Sequence, residues 1–153
     1  MAEGQVDNLL AELEQSVKTG LAFFQGPGGQ SHVQIGTWHP REVLCVLMWW
    51  HQVTAEGMEA VASGGAPYRI YASVDEMNAR AVGRAASKNI AQMAELVQGY
   101  QDRIAKAAKA LPDPNATVMV FGDGTSRSAI QRLETVAKHW REKVQQLQTL
   151  GAA

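Results

Sequence analysis

Apolar side chains return at every third or fourth position along most of this chain, the spacing that gathers them on one stripe of an α-helix. Val6, Leu10, Leu13, Val17, Leu21 and Phe24 form the first stripe and predict a helix over about residues 5 to 25, ended by Gly26-Pro27-Gly28-Gly29. A second begins at Trp38-His39-Pro40, where proline suits the first helical turn. It runs through Val43, Val46 or Leu47, Trp50, Val53 or Thr54, Gly57 and Val61 to the break at Ser63-Gly64-Gly65-Ala66-Pro67. Ser73-Val74-Asp75-Glu76 reads as a capping box that opens a third. Continued unbroken to Leu111, that helix would be about 60 Å long at ~1.5 Å per residue. A break is therefore expected near Ser87, which can cap a segment carrying Ile90, Met93, Val97, Tyr100, Ile104, Ala107 and Leu111.

Pro112-Asp113-Pro114-Asn115 stops that segment, and Val118-Met119-Val120-Phe121 is a brief strand or a loop plug. Ser126 or Ser128 caps a last helix bearing Ile130, Leu133, Ala137, Trp140, Val144 and Leu147, which closes near residue 150. The fold class this predicts is all-α, a four-helix bundle with a short extra helix and long connecting loops, as one domain over residues 1–153.

Charge and composition narrow the function. Fourteen Lys and Arg against fifteen Asp and Glu leave a net charge of −1, no footprint for duplex nucleic acid or an anionic membrane. The longest apolar run, Val43 to Trp50, covers eight residues, where a membrane span needs about 20. One cysteine, Cys45, excludes an internal disulfide framework, and its apolar setting predicts an inert thiol. Neither a signal peptide nor a lipidation motif is visible at the N-terminus, so the expectation is a cytoplasmic protein without nucleic-acid or membrane partners.

Within the second helix the run from Val43 to Trp50 is apolar all the way round. Such a helix is central to the bundle, is half of a homodimer interface, or lines an apolar ligand pocket. Trp49 and Trp50 point about 100° apart, so both are candidates for more than core packing. His51 follows Trp50 and borders the stripe, and His139 stands beside Trp140 in the same way. If the two helices are neighbours, these imidazoles sit at the rim of an aromatic-lined cavity, moving protons or holding a water; otherwise each is a solvated or singly bonded boundary residue. Glu142, three residues beyond His139, is placed to orient it, and Glu56 is less well aligned with His51. Tyr68 and Tyr71, in the loop after the second helix, either donate hydrogen bonds into the mouth or anchor the loop by packing. Asn78 is polar on the face of Val74 and Val82 and reads as an amide needing partners. No metal-ligand spacing, phosphate loop or nucleophile elbow is present, and no cofactor is predicted.

Thr37-Trp38-His39-Pro40-Arg41-Glu42-Val43-Leu44, Trp50-His51, Asp75-Glu76-Met77-Asn78-Ala79 and Arg132-Leu133-Glu134 followed by His139-Trp140-Arg141-Glu142 occur in the order seen in the DinB-like four-helix bundles. Over about residues 37 to 145 the chain most resembles the ClbS/DfsB-like branch, which includes the colibactin self-resistance cyclopropane hydrolase. Many DinB-like proteins hold a metal with a histidine on the second helix and a His-x-x-x-His pair on the fourth. The resemblance puts these positions at Val46, His139 and Lys143, which speaks against the metal-dependent thiol transfer known for some relatives. For the ClbS-like branch it implies a metal-free, apolar cavity where an electrophilic small molecule is opened by water. The expected partner is thus an apolar or electrophilic small molecule. Trp49, Trp50 and Trp140 are the expected walls, Tyr68 and Tyr71 polar contacts, and His51, His139 and Glu142 catalytic candidates for hydrolytic opening of a strained or electrophilic ring. The alternatives are a non-catalytic sequestering protein, a structural dimer and, last, a metal-dependent thiol transferase.

Overall fold

The computed structural model describes residues 2–152, with side chains described from Gly4. Five α-helices are present: α1 (Ala2–Gln25), α2 (Pro40–Ala62), α3 (Val74–Arg84), α4 (Ile90–Ala110) and α5 (Ala129–Thr149). A single 3-10 turn at Pro27–Gln30 follows α1. The four long helices form a ring in which α1 packs against α4 and α5, and α2 against the same two. Helices α1 and α2 therefore sit diagonally, as do α4 and α5, which explains the long connections between them. This is the all-α bundle of four long helices and one short one that the pattern of stripes predicts.

The stripes are buried except at Val61, Ile90 and Tyr100, which are half-buried against the core. Leu13, Phe24, Leu44, Met93, Val97, Ile104, Trp140 and Leu147 are all fully enclosed, and burial of such side chains, worth about 1.5–3 kcal/mol each, supplies the main driving force. The all-apolar run of α2 is covered by the chain's own elements: α4 on one side, α5, α3 and a small sheet on the other. Close approach is enforced at two glycines. A Cβ on Gly20 of α1 would stand 2.5 Å from the Trp140 ring, and one on Gly57 of α2 would stand 2.3 Å from the Val118 carbonyl.

Capping decides the helix boundaries. Ser73 Oγ accepts from the Glu76 amide at 3.1 Å, but the return half of the expected capping box does not form, because the Glu76 carboxylate pairs with Arg80 on the next turn. Ser128, rather than Ser126, caps α5, exchanging hydrogen bonds with Gln131. The cap of α4 is Asn89, not Ser87: its Oδ1 accepts from the Gln92 amide at 2.8 Å while Gln92 Oε1 accepts from the Asn89 amide. Ser87 instead lies in a turn whose carbonyls are gathered by Arg41, which donates from Nη2 to Ala85, Ala86 and Lys88. The carbonyls left over at the end of α3 are thus satisfied by a side chain from α2.

Val118–Val120 belongs to a strand, and two partners unforeseen in the sequence complete a sheet. β1 (Tyr68–Arg69) pairs in parallel with β2 (Thr117–Val120), which pairs antiparallel with β3 (Ser126–Ser128). The β2–β3 turn is closed by Asp123 Oδ1 accepting from the Thr125 amide and by Gly124 at φ +88°. With α3, this sheet covers the α2 face that carries Val46, Trp49, Trp50 and Val53, making a second cluster with Ile70, Met77 and Met119. No helix among the described residues is long and apolar enough to cross a membrane.

Candidate functional site

Where this cover meets α5, it leaves a pocket of about 410 Å³, within the ~300–1,000 Å³ range of small-molecule sites. Its apolar walls are Val46, Leu47 and Trp50 from α2, Val74 from α3 and Phe121 from the end of β2, whose ring is 6.3 Å from that of Trp50. Its polar groups are Asn78 from α3, Arg127 from β3, and Arg132, Thr135, His139, Glu142 and Lys143 from α5. Those α5 residues recur at three- and four-residue steps, a second stripe beside the core one. A broader depression of about 660 Å³ runs along α4 from Lys88 to Arg103. None of its lining side chains is buried, so it holds no fixed, desolvated polar group.

The two candidate histidines have separate fates. His51 is fully buried in the helical core, not at the rim, and this corrects the expected pairing of two imidazoles at one cavity. Its Nδ1 accepts from Trp140 Nε1 at 3.2 Å, and its other nitrogen, Nε2, lies 2.7 Å from Gln101 Oε1. Since an indole N–H only donates, the proton sits on Nε2 and points at Gln101. Burial holds the His51 pKa at about 4, so the ring is neutral, doubly bonded and out of reach of a ligand. His139 does line the pocket. Burial and the neighbouring Arg132 charge lower its pKa, against a raising influence from Glu142, which keeps the imidazole in its proton-accepting form at neutral pH.

The other candidates divide in the same way. Trp50 forms a wall, and its Nε1 donates to Asn78 Oδ1 at 2.6 Å, so the amide's partner is an indole that also faces the pocket. Glu142 lies on the lining, 3.7 Å from Lys138 in an exposed ion pair. Trp140 does not reach this pocket; it is enclosed between Phe24 and His51. Trp49 is buried against Trp50 and Tyr68 beneath the cover and does not line the pocket. Tyr68 stays half-buried on β1, and Tyr71 is exposed, its hydroxyl accepting from Arg80 and Arg84. Neither tyrosine reaches the pocket.

Sequence reasoning missed Arg132 as a site residue. It is 2% exposed, donating from Nε and Nη2 to Thr54 Oγ1 at 3.3 and 3.0 Å. Its guanidinium lies over the Trp50 ring, 5.5 Å from the centroid. Its spacing from Val136 and His139 was the available signal.

The positions that the family resemblance assigns to metal ligands do converge here: Val46, His139 and Lys143 all line the pocket. Their chemistry does not fit a three-histidine site, because Val46 offers no donor atom and Lys143 offers an ammonium. No group of three His, Cys, Asp or Glu side chains able to hold a metal ion lies among the described residues.

No family model matches the sequence, and no curated protein matches it. Among solved structures, two crystal structures of a mycothiol-dependent maleylpyruvate isomerase are similar, one of them a histidine-to-alanine variant. Both superpose with a TM-score of 0.73 over 97% of this chain, at 12% and 11% identity, and the chain spans 61% of their length. At that identity the likeness is one of fold, and the fold this chain shares with them is the DinB-like helical fold.

Proposed function

We propose that this protein binds a small molecule in the pocket between α2, α3, β2 and α5, and that His139 activates water there to open a strained or electrophilic ring. The observation that carries this reading is the convergence of Trp50 and Phe121 with a neutral His139 on one concave surface. Water would give a proton to the imidazole as its oxygen attacks a ring carbon. The broken bond's leaving atom then takes a proton back, so the ring opens with net addition of water. Glu142 stabilises the imidazolium formed in between. The resemblance to the ClbS/DfsB-like branch and the fold shared with a mycothiol-dependent maleylpyruvate isomerase support a ligand-binding role. His51 has no part in the chemistry; it fixes α2 to α4 and α5.

Styrene oxide in ¹⁸O-labelled water is a direct test, read as labelled diol by mass spectrometry. The wild type should form diol above the uncatalysed rate, and His139→Ala should lower turnover by about 10²-fold or more. Thr135→Trp, a plug on the pocket wall, should abolish it. Equal rates with and without His139 would refute the water-activating role. Saturable binding with no product would favour the sequestering alternative.

A further inference from the structure

Among the described residues Arg132 is a buried cation without a counter-charge. The four ion pairs among the described residues join Arg41 to Glu42, Arg80 to Glu76, Arg103 to Glu59 and Lys138 to Glu142. None involves Arg132, and Glu142, the acidic side chain on the pocket lining, is drawn to Lys138. Thr54 neutralises nothing; it accepts from Nε and from Nη2. A guanidinium carries five N–H groups, and no buried side-chain nitrogen lacks a hydrogen-bond partner among the described residues. The Nη1 end, with no partner among the described residues, is therefore the end that reaches the pocket. Burial and the nearby Arg127 lower the Arg132 pKa to about 10, so the group remains cationic at neutral pH. Buried charges are ordinarily paired. Here Arg127 and Lys143 line the same pocket, and the local charge is positive on a chain whose net charge is −1.

Resting on the reading that this pocket binds a small molecule, we infer that its ligand is an organic carboxylate. The carboxylate takes the free edge of Arg132, and the ligand's apolar body lies along Trp50 and Phe121. Trp50 stacks beneath the guanidinium and Thr54 holds its inner edge, so the fork is oriented before any ligand arrives. Lys143 and Arg127 raise the local concentration of anions without fixing their orientation. In this arrangement the carboxylate anchors the ligand while His139, further along the same α5 stripe, addresses its reactive part.

The test compares 1-naphthylacetate with its neutral amide, 1-naphthylacetamide, by isothermal titration calorimetry and ligand-observed NMR at neutral pH. The wild type should bind the carboxylate at least tenfold more tightly than the amide, with the preference shrinking as salt is added. In Arg132→Met, which keeps the stem over Trp50, the preference should fall to about threefold or less, the salt-sensitive remainder that Lys143 and Arg127 supply. If that variant does not fold, the wild-type preference and its loss in Arg132→Lys, which keeps the charge without the fork, carry the same decision. Amide and carboxylate bound equally well by the wild type, or a preference that keeps its full size without Arg132, would overturn the carboxylate anchor and leave the pocket standing. Failure of both compounds to bind would remove the pocket reading and the anchor together.

Discussion

Replacing His51 with glutamine removes one titrating group from the core while keeping a donor toward Gln101, and the consequence can be worked out in advance. Protonating His51 would put a second N–H against the Trp140 indole, in a fully buried place close to the Arg132 charge. Its pKa is accordingly held near 4 against an ordinary value of 6.5. Above pH 6.5 neither the folded nor the unfolded chain protonates this ring, and its contribution to stability is intact. As the pH falls through 6.5 the unfolded chain gains a proton that the folded chain refuses until about pH 4, so stability drains away across that window. At 1.36 kcal/mol per tenfold change in protonation, the full loss is about 3 kcal/mol. Urea unfolding at about pH 7.5 and 4.5 on both proteins measures it, because the carboxylates and His139 titrate alike in each and cancel in the difference. The wild type should lose about 2–3 kcal/mol more than His51→Gln between the two pH values. Equal losses, or an NMR titration of the His51 ring with a midpoint near its ordinary value, would refute the tautomer and burial assigned to it.

Two glycines offer an internal comparison. Gly20→Ala should destabilise by about 1–2 kcal/mol, since overpacking against Trp140 outweighs alanine's better helix propensity, whereas Gly99→Ala, with open space around it, should gain up to about 1 kcal/mol. Thermal melts giving the two variants the same sign would show that α1 and α5 are not in close contact there. Cys45 is buried beside Met93, its thiol pushed up by burial. It should resist an aromatic disulfide reagent in the native protein and react at once in concentrated guanidinium; rapid native labelling would contradict the enclosure of α2.

The helices were legible because one-sided burial writes a period into the sequence, and every core stripe landed where Leu13, Val97 or Trp140 placed it. Strands β1 and β3 were not, because at two and three residues they show no alternation, and their register comes from β2. The site was legible only in part. Trp50, His139 and Glu142 fall on the pocket, and His51 does not, because adjacency in sequence turned two histidines toward different neighbours. Gln101 gave a warning, as a polar residue spaced four from Val97 and three from Ile104 on a core stripe. Arg132 was hidden by its charge: arginine off the main stripe reads as solvated surface until tertiary structure folds the sheet and α3 over it.

The diagonal placement of α1 opposite α2, and of α4 opposite α5, governs how the chain can assemble. Helices joined in sequence by residues 26–39 and 111–128 are not partners in space, so no early αα-hairpin from either pair resembles its final surroundings. Native contacts wait on loop closure across long stretches of chain, which slows the search relative to an up-and-down bundle of the same size. Cutting the chain between α3 and α4 would therefore leave two fragments, each rich in helix and poor in lasting structure, that regain order only on being mixed.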